Sequence, residues 1–269
     1  MPLEYLVEDR FLDRMDEQLA GWADAPARLR TALERDEFEL YCQPIAALSQ
    51  IASFPMAEVL VRMREEERAL LPPGEFLPAF EHYGMMVELD RWVLRNAIRH
   101  LARGSRIPRL TINVSSQTLK DADFPAFAEA ELRAAGVRLD AVLFEIDESD
   151  VLARLEAAAR FSVAITAFGG GVLLDGFCRR AVSFAPLKKV RVDFVKVDGC
   201  VTRKLLASEA AETKLKAVLS VAEMMGIDVV AECVEEPDVL DRLRELKVGF
   251  AQGFEVAKPQ PIAEIAAKP

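Results

Sequence analysis

The 269 residues are 51% apolar with a formal charge of −10 and a pI near 5.0, enough for a large core in one domain or two and without the basic stripe of a general nucleic-acid binder. Cys42, Cys178, Cys200 and Cys233 lie far apart with no C-x-x-C, which argues against a zinc site or a disulfide framework and suits reduced thiols in a cytoplasmic protein. No apolar run approaches membrane-spanning length, and the first twenty residues lack the basic start and apolar stretch of a signal segment.

Residues 1 to about 35 have apolar positions such as Leu6, Phe11, Leu12, Met15 and Leu19 at helical spacing, and Pro26 divides this region in two. The division sets a helical segment or connector at residues 1–27 apart from a domain at 28–269. From Phe38 the pattern changes. Strands are expected at 38–45, 56–63, 109–115, 141–147, 163–167, 190–197, 227–231 and 249–254. Helices are expected from 72, at 89–101, 124–135, 152–159, 210–225 and 239–246. This alternation implies an α/β class with parallel pairing, and eight strands suit a closed (β/α)₈ barrel of the TIM type. A doubly wound sheet is the other α/β arrangement open to the sequence.

Six expected strands carry a polar residue at or near the C-terminal part of an apolar run: Glu58, Asn113, Glu145, Lys196, Glu232 and Gln252. Arg62, Asp198 and Glu235 lie close behind. A single such residue is ordinarily a solvated strand end, but six in a parallel barrel share one mouth, where barrel enzymes place their sites. Carboxylates and an amide without histidine or thiolate partners favour a hard cation, Mg²⁺, Mn²⁺ or Ca²⁺, over zinc. Lys196 among them is held charged, to orient water, to offset phosphate charge or to form a structural ion pair.

The segments Gln43-Pro-Ile45, Glu58-Val-Leu-Val-Arg62, Asn113-Val-Ser115, Glu145-Ile-Asp-Glu-Ser149, Lys196-Val-Asp198, Ala231-Glu-Cys-Val-Glu235 and Gln252-Gly-Phe254 resemble, in order, the EAL domain of bacterial cyclic di-GMP signalling. The resemblance covers roughly residues 28–262. It implies a (β/α)₈-type barrel that binds cyclic di-GMP and, when complete, hydrolyses it to pGpG with Mg²⁺ or Mn²⁺. By position it makes Glu58, Asn113 and Glu145 metal ligands, and puts Lys196 and Glu232 around the attacking water with Glu235 in support. It makes Gln43, Leu60, Arg62, Glu232 and Gln252 ligand contacts, Arg62 being the phosphate contact.

An active member carries two adjacent aspartates just before a Phe-Gly. The segment Val163-Ala-Ile-Thr-Ala-Phe-Gly-Gly-Gly171 aligns these with Thr166 and Ala167, which together cannot cage an ion. On this alignment Gly169 to Arg180 is a lengthened lid loop, with Asp175 a surface aspartate. The expected function is therefore a cyclic di-GMP receptor that has lost turnover and requires no cofactor. It would act on a downstream protein partner and could form a homodimer. The alternatives are a slow Mg²⁺- or Mn²⁺-dependent phosphodiesterase and a protein-interaction scaffold that binds no nucleotide.

Overall fold

The computed structural model describes residues 24–49, 54–64, 70–180 and 182–265, so most of the expected N-terminal helical segment lies outside the described residues. Helix α1, Ala25–Glu34, begins where the Asp24 carboxylate accepts the Ala27 N–H at 3.0 Å. Pro26 falls in its first turn, where the missing N–H has no partner to lose. The proline therefore opens this helix. Ala25, Leu29 and Ala32 turn inward to the core.

Eight strands close a barrel: β1 (Phe38–Ala47), β2 (Met56–Arg64), β4 (Leu110–Val114), β5 (Val142–Asp147), β6 (Gly171–Phe177), β7 (Phe194–Val197), β8 (Asp228–Ala231) and β9 (Phe250–Ala251). Two short strands, β3 (Leu70–Leu71) and β10 (Gln260–Pro261), extend the sheet beside β2 and β1. From β2 through β9 the barrel pairs are parallel. Strand β1 runs antiparallel to both β2 and β9 and closes the ring, the one departure from all-parallel pairing. The fold is an α/β barrel of the (β/α)₈ class. Its outer layer includes α2 (Pro73–His82), α3 (Met86–Ala102), α4 (Phe124–Ala134), α5 (Glu148–Ala153), α6 (Leu155–Phe168), α7 (Gly199–Thr202), α8 (Glu209–Met225) and α9 (Pro237–Glu245).

Strand periodicity divides the core in two. One set of alternate residues faces the helices in a continuous apolar cluster. The other set faces the barrel axis, where Ile45, Met56, Leu143, Leu173, Phe194 and Val230 form a separate cluster with Phe250 against it. This inner cluster is a floor, because barrel interiors fill in layers.

Residues 163–167, expected as a strand, are the C-terminal part of α6. The apolar positions there follow helical spacing, with Ala158, Phe161, Ser162 and Ile165 buried. The helix ends at Gly169 in the left-handed region, φ 99°, as a C-terminal glycine allows. A side chain at Gly171 would lie 2.4 Å from Leu143 Cδ2, so this glycine starts β6 by permitting close strand packing. The barrel strand is thus Gly171–Phe177, inside the stretch expected to be a lid loop.

Candidate active site at the barrel mouth

Two residues beyond each member of the apolar floor, the same strand face turns polar. Met56 is followed by Glu58, Leu143 by Glu145, Leu173 by Asp175, Phe194 by Lys196, Val230 by Glu232 and Phe250 by Gln252. On β4, buried Thr111 is followed by Asn113, and on antiparallel β1 the order reverses, Gln43 preceding Ile45. A period of 2 therefore stacks one polar layer on one apolar layer. Six members come from the parallel strands that the sequence singled out. The seventh is Asp175. Its signal was present in the sequence: a polar residue two positions after the buried Leu173.

The layer is organised by Lys196, which is fully buried. Its ammonium donates to Glu145 Oε2 at 2.5 Å and Glu58 Oε2 at 3.1 Å, with Asp175 Oδ1 at 3.8 Å and Glu232 Oε1 at 4.0 Å. Glu58 also accepts from the amides of Asn113 at 2.8 Å and Gln252 at 2.8 Å. Gln252 reaches Gln43 Oε1 at 3.3 Å, and Gln43 donates to the Ala257 carbonyl at 3.1 Å. The turn behind Asn113 is fixed by buried Asp90, which accepts from the Ser115 N–H and the Thr118 hydroxyl.

Four carboxyl groups share one cation, and their titration diverges accordingly. Burial raises Glu145 and Glu232 to about 8, against the attraction of Lys196. Burial also raises Asp175. Burial presses Glu58 the same way, but Lys196 and three hydrogen bonds outweigh it and hold this carboxylate below its usual range. The carboxylates keep Lys196 charged despite its burial, Glu145 foremost.

The other expected residues lie apart from this layer. Leu60 and Arg62 continue the Glu58 face of β2 toward its C-terminal end, where the Arg62 guanidinium sits 5.7 Å from the Tyr41 ring centroid and donates to its neighbour's carbonyl. Glu235 is half exposed and faces Arg203 at 3.7 Å. Thr166 and Ala167 are not in the mouth, which corrects the alignment above: both are on α6, and the Thr166 hydroxyl is spent on the Ser162 carbonyl of its own helix. The pair that precedes a phenylalanine at a strand end is instead Asp175-Gly176, before Phe177. Of these two positions, 175 carries a carboxylate and 176 is a glycine. The register of β6 against β7 shifts across this pair, a bulge that re-aims the chain at the mouth.

A hard cation fits the chemistry of the donors. Glu145 Oε1 and Asp175 Oδ1 are buried without a hydrogen-bond partner, and Glu58, Asn113, Glu145 and Asp175 together offer only oxygen donors once the Asn113 amide turns. Among the described residues no three acidic, histidine or cysteine side chains already stand at metal-ligating spacing, since the carboxylates are drawn in around Lys196.

Strand topology and this layer define an α/β barrel with a carboxylate-lined mouth suited to a hard cation. Residues 27–259 match the EAL domain, and the chain belongs to the EAL domain family. It is 30% identical, over 93% of its length, to "Cyclic di-GMP phosphodiesterase PdeB" of Shewanella oneidensis, and 31% identical over 88% to "Cyclic di-GMP phosphodiesterase NbdA" of Pseudomonas aeruginosa. It spans less than a third of the length of either, 30% and 31%. Against the uncharacterized protein Rv1357c of Mycobacterium tuberculosis it is 34% identical and covers 79% of that chain. The solved EAL domain of FimX from Pseudomonas aeruginosa, bound to c-di-GMP, superposes with a TM-score of 0.82 at 27% identity over 88% of this chain and 97% of its own.

Proposed function

We propose that this domain binds cyclic di-GMP at the barrel mouth as a receptor, with turnover absent or very slow. Relatives named as cyclic di-GMP phosphodiesterases and a neighbour solved with that ligand support the choice of nucleotide. The single observation that carries the receptor reading is Gly176. Cleavage by two metal ions needs acids that hold both ions a few ångströms apart, and β6 presents one carboxylate, Asp175, where such a centre wants two. Glu58, Asn113, Glu145 and Asp175 would hold one Mg²⁺ or Mn²⁺. That ion, when bound, would offset phosphate charge. Gln43, Leu60, Arg62 and Gln252 would contact the nucleotide. Binding then shifts how the domain meets a protein partner, consistent with a signalling role in the cytoplasm.

The rest of the layer supports one second reading, a slow phosphodiesterase, in which Lys196 and Glu232, 4.0 Å apart, would flank an attacking water. Calorimetry with cyclic di-GMP in EDTA, paired with chromatography of the nucleotide after incubation in Mn²⁺, separates the two. The receptor reading expects saturable heat and unchanged cyclic nucleotide. Rapid conversion to pGpG would replace it with the second reading, and no heat in EDTA or in Mn²⁺ would remove both.

A further inference from the structure

The vacancy left by a glycine at position 176 is filled by the chain itself. Gly176 has φ +67°, and a Cβ built there would lie 2.5 Å from Arg179 Nη2 and 2.8 Å from its Cζ. The turn that places Arg179 is closed by its own N–H on the Gly176 carbonyl at 3.2 Å, with Cys178 between them also left-handed at φ 69°. From there the guanidinium reaches across three neighbouring strand ends. It donates through Nη1 to Asp147 Oδ2, at the end of β5, at 2.8 Å, and through Nε to Asp198 Oδ2, just past β7, at 2.7 Å. The opposite oxygens of both aspartates accept from the N–H groups of Ser149 and Cys200, so the two carboxylates are held from both sides. Two of the five guanidinium N–H groups are thereby fixed in direction. The side chain is 47% exposed, and Nη2, which lies over Gly176, is in neither ion pair.

Among the described residues, the cations of the mouth differ in their ability to reach an anion. Lys196 is enclosed by four carboxyl groups and fully buried. Arg62 stands on β2, and Arg179 on the β5–β6–β7 side, three strands round the ring through β4 and β5. A cyclic dinucleotide carries two phosphodiesters on opposite sides of one ring. Two arginines on separate sides of the mouth match that charge pattern, and guanidinium forks suit phosphate oxygens.

Resting on the cyclic dinucleotide reading above, we propose that Arg179 binds the ligand's second phosphodiester, opposite the one met by Arg62, and supplies there the positive charge that a second metal ion would otherwise bring. Gly176 is the cradle that admits it. The consequence is a mouth that binds its ligand without divalent cations.

The test is calorimetry with cyclic di-GMP in EDTA on the whole chain, for wild type, Arg179→Ala, Arg179→Lys and Arg62→Ala, with the melting midpoint of each recorded. The proposal expects Arg179→Ala to weaken binding 10- to 100-fold, Arg179→Lys to weaken it less, and Arg62→Ala to weaken it by a similar factor. If wild type binds and Arg179→Ala binds equally well, the proposal is overturned and the arginine only ties two loop carboxylates together, whatever its melting midpoint. If Arg179→Ala does not fold, Arg179→Gln, which keeps amide donors and removes the charge, gives the same decision. Wild type that binds no cyclic di-GMP at all overturns the functional reading itself, a different outcome from a silent Arg179 variant.

Discussion

Replacing Lys196 with methionine is the sharpest perturbation of the polar layer. The substitution keeps an unbranched side chain of similar length and removes the one cation among Glu58, Glu145, Asp175 and Glu232. Removing one partner of a buried ion pair costs roughly 3–5 kcal/mol, because the remaining charge stays buried without compensation. Here the cost depends on pH. Glu145 and Glu232 titrate near 8 with the lysine in place, and without it they hold their protons to higher pH still. At pH 6 the variant meets these two groups already neutral and leaves Glu58 as the carboxylate without its cation, so the loss is smaller there than at pH 9. At pH 9 wild type ionises them against Lys196, whereas the variant must ionise them unpaired or keep them protonated against the solution. The native variant then binds more protons than wild type relative to the unfolded chain, so the stability gap widens as pH rises. Urea unfolding of both proteins in EDTA at pH 6 and pH 9 measures the gap. A gap of the same size at both pH values, or one below 1 kcal/mol at pH 9, would refute the charge argument.

Three further outcomes follow from the same structure. Mn²⁺ binding, followed by electron paramagnetic resonance, should tighten at least tenfold between pH 6.5 and 8.5, since the proton on Glu145 must leave before the cation enters; an affinity flat across that range would contradict it. Lys247 sits in the left-handed region at φ 59°, directly after the end of α9 and exposed, so Lys247→Gly should raise stability by about 1 kcal/mol and the melting midpoint by about 2–3 °C; a lower midpoint would mean the lysine makes a compensating contact. Introducing aspartate at both Thr166 and Ala167 should leave Mn²⁺ stoichiometry and affinity unchanged, because those positions lie on α6; any gain in bound metal would return them to the mouth.

Most of the mouth could be read from the chain because its signal is local. A carboxylate, amide or ammonium near the end of an apolar strand is visible without knowing the fold, and Glu58, Asn113, Glu145, Lys196, Glu232 and Gln252 do share one layer. Asp175 escaped for a physical reason. The apolar run Phe161–Phe168 is short and bounded by three glycines, which reads as a strand entering a loop. Helical burial of Ala158, Phe161 and Ile165 decides otherwise, and those glycines are a helix end and a close strand approach. Periodicity cannot arbitrate between a short buried helix end and a strand, and the misplacement carried the acid pair to Thr166 and Ala167. Pro26, expected to divide the N-terminal region, lies in the first turn of α1, where a proline is at home; the residues before Asp24 lie outside the described ones. Glu235 depends on how the segment beyond β8 turns, which no local pattern encodes.

The account rests on a mouth that holds one divalent cation at most and leaves its nucleotide whole. Crystals of the domain soaked with Mn²⁺ and cyclic di-GMP, measured at the manganese absorption edge, test this directly. One anomalous peak among Glu58, Asn113, Glu145 and Asp175, beside an intact cyclic nucleotide with Arg179 on a phosphate, is the predicted result. Two manganese peaks beside a linear dinucleotide would contradict it.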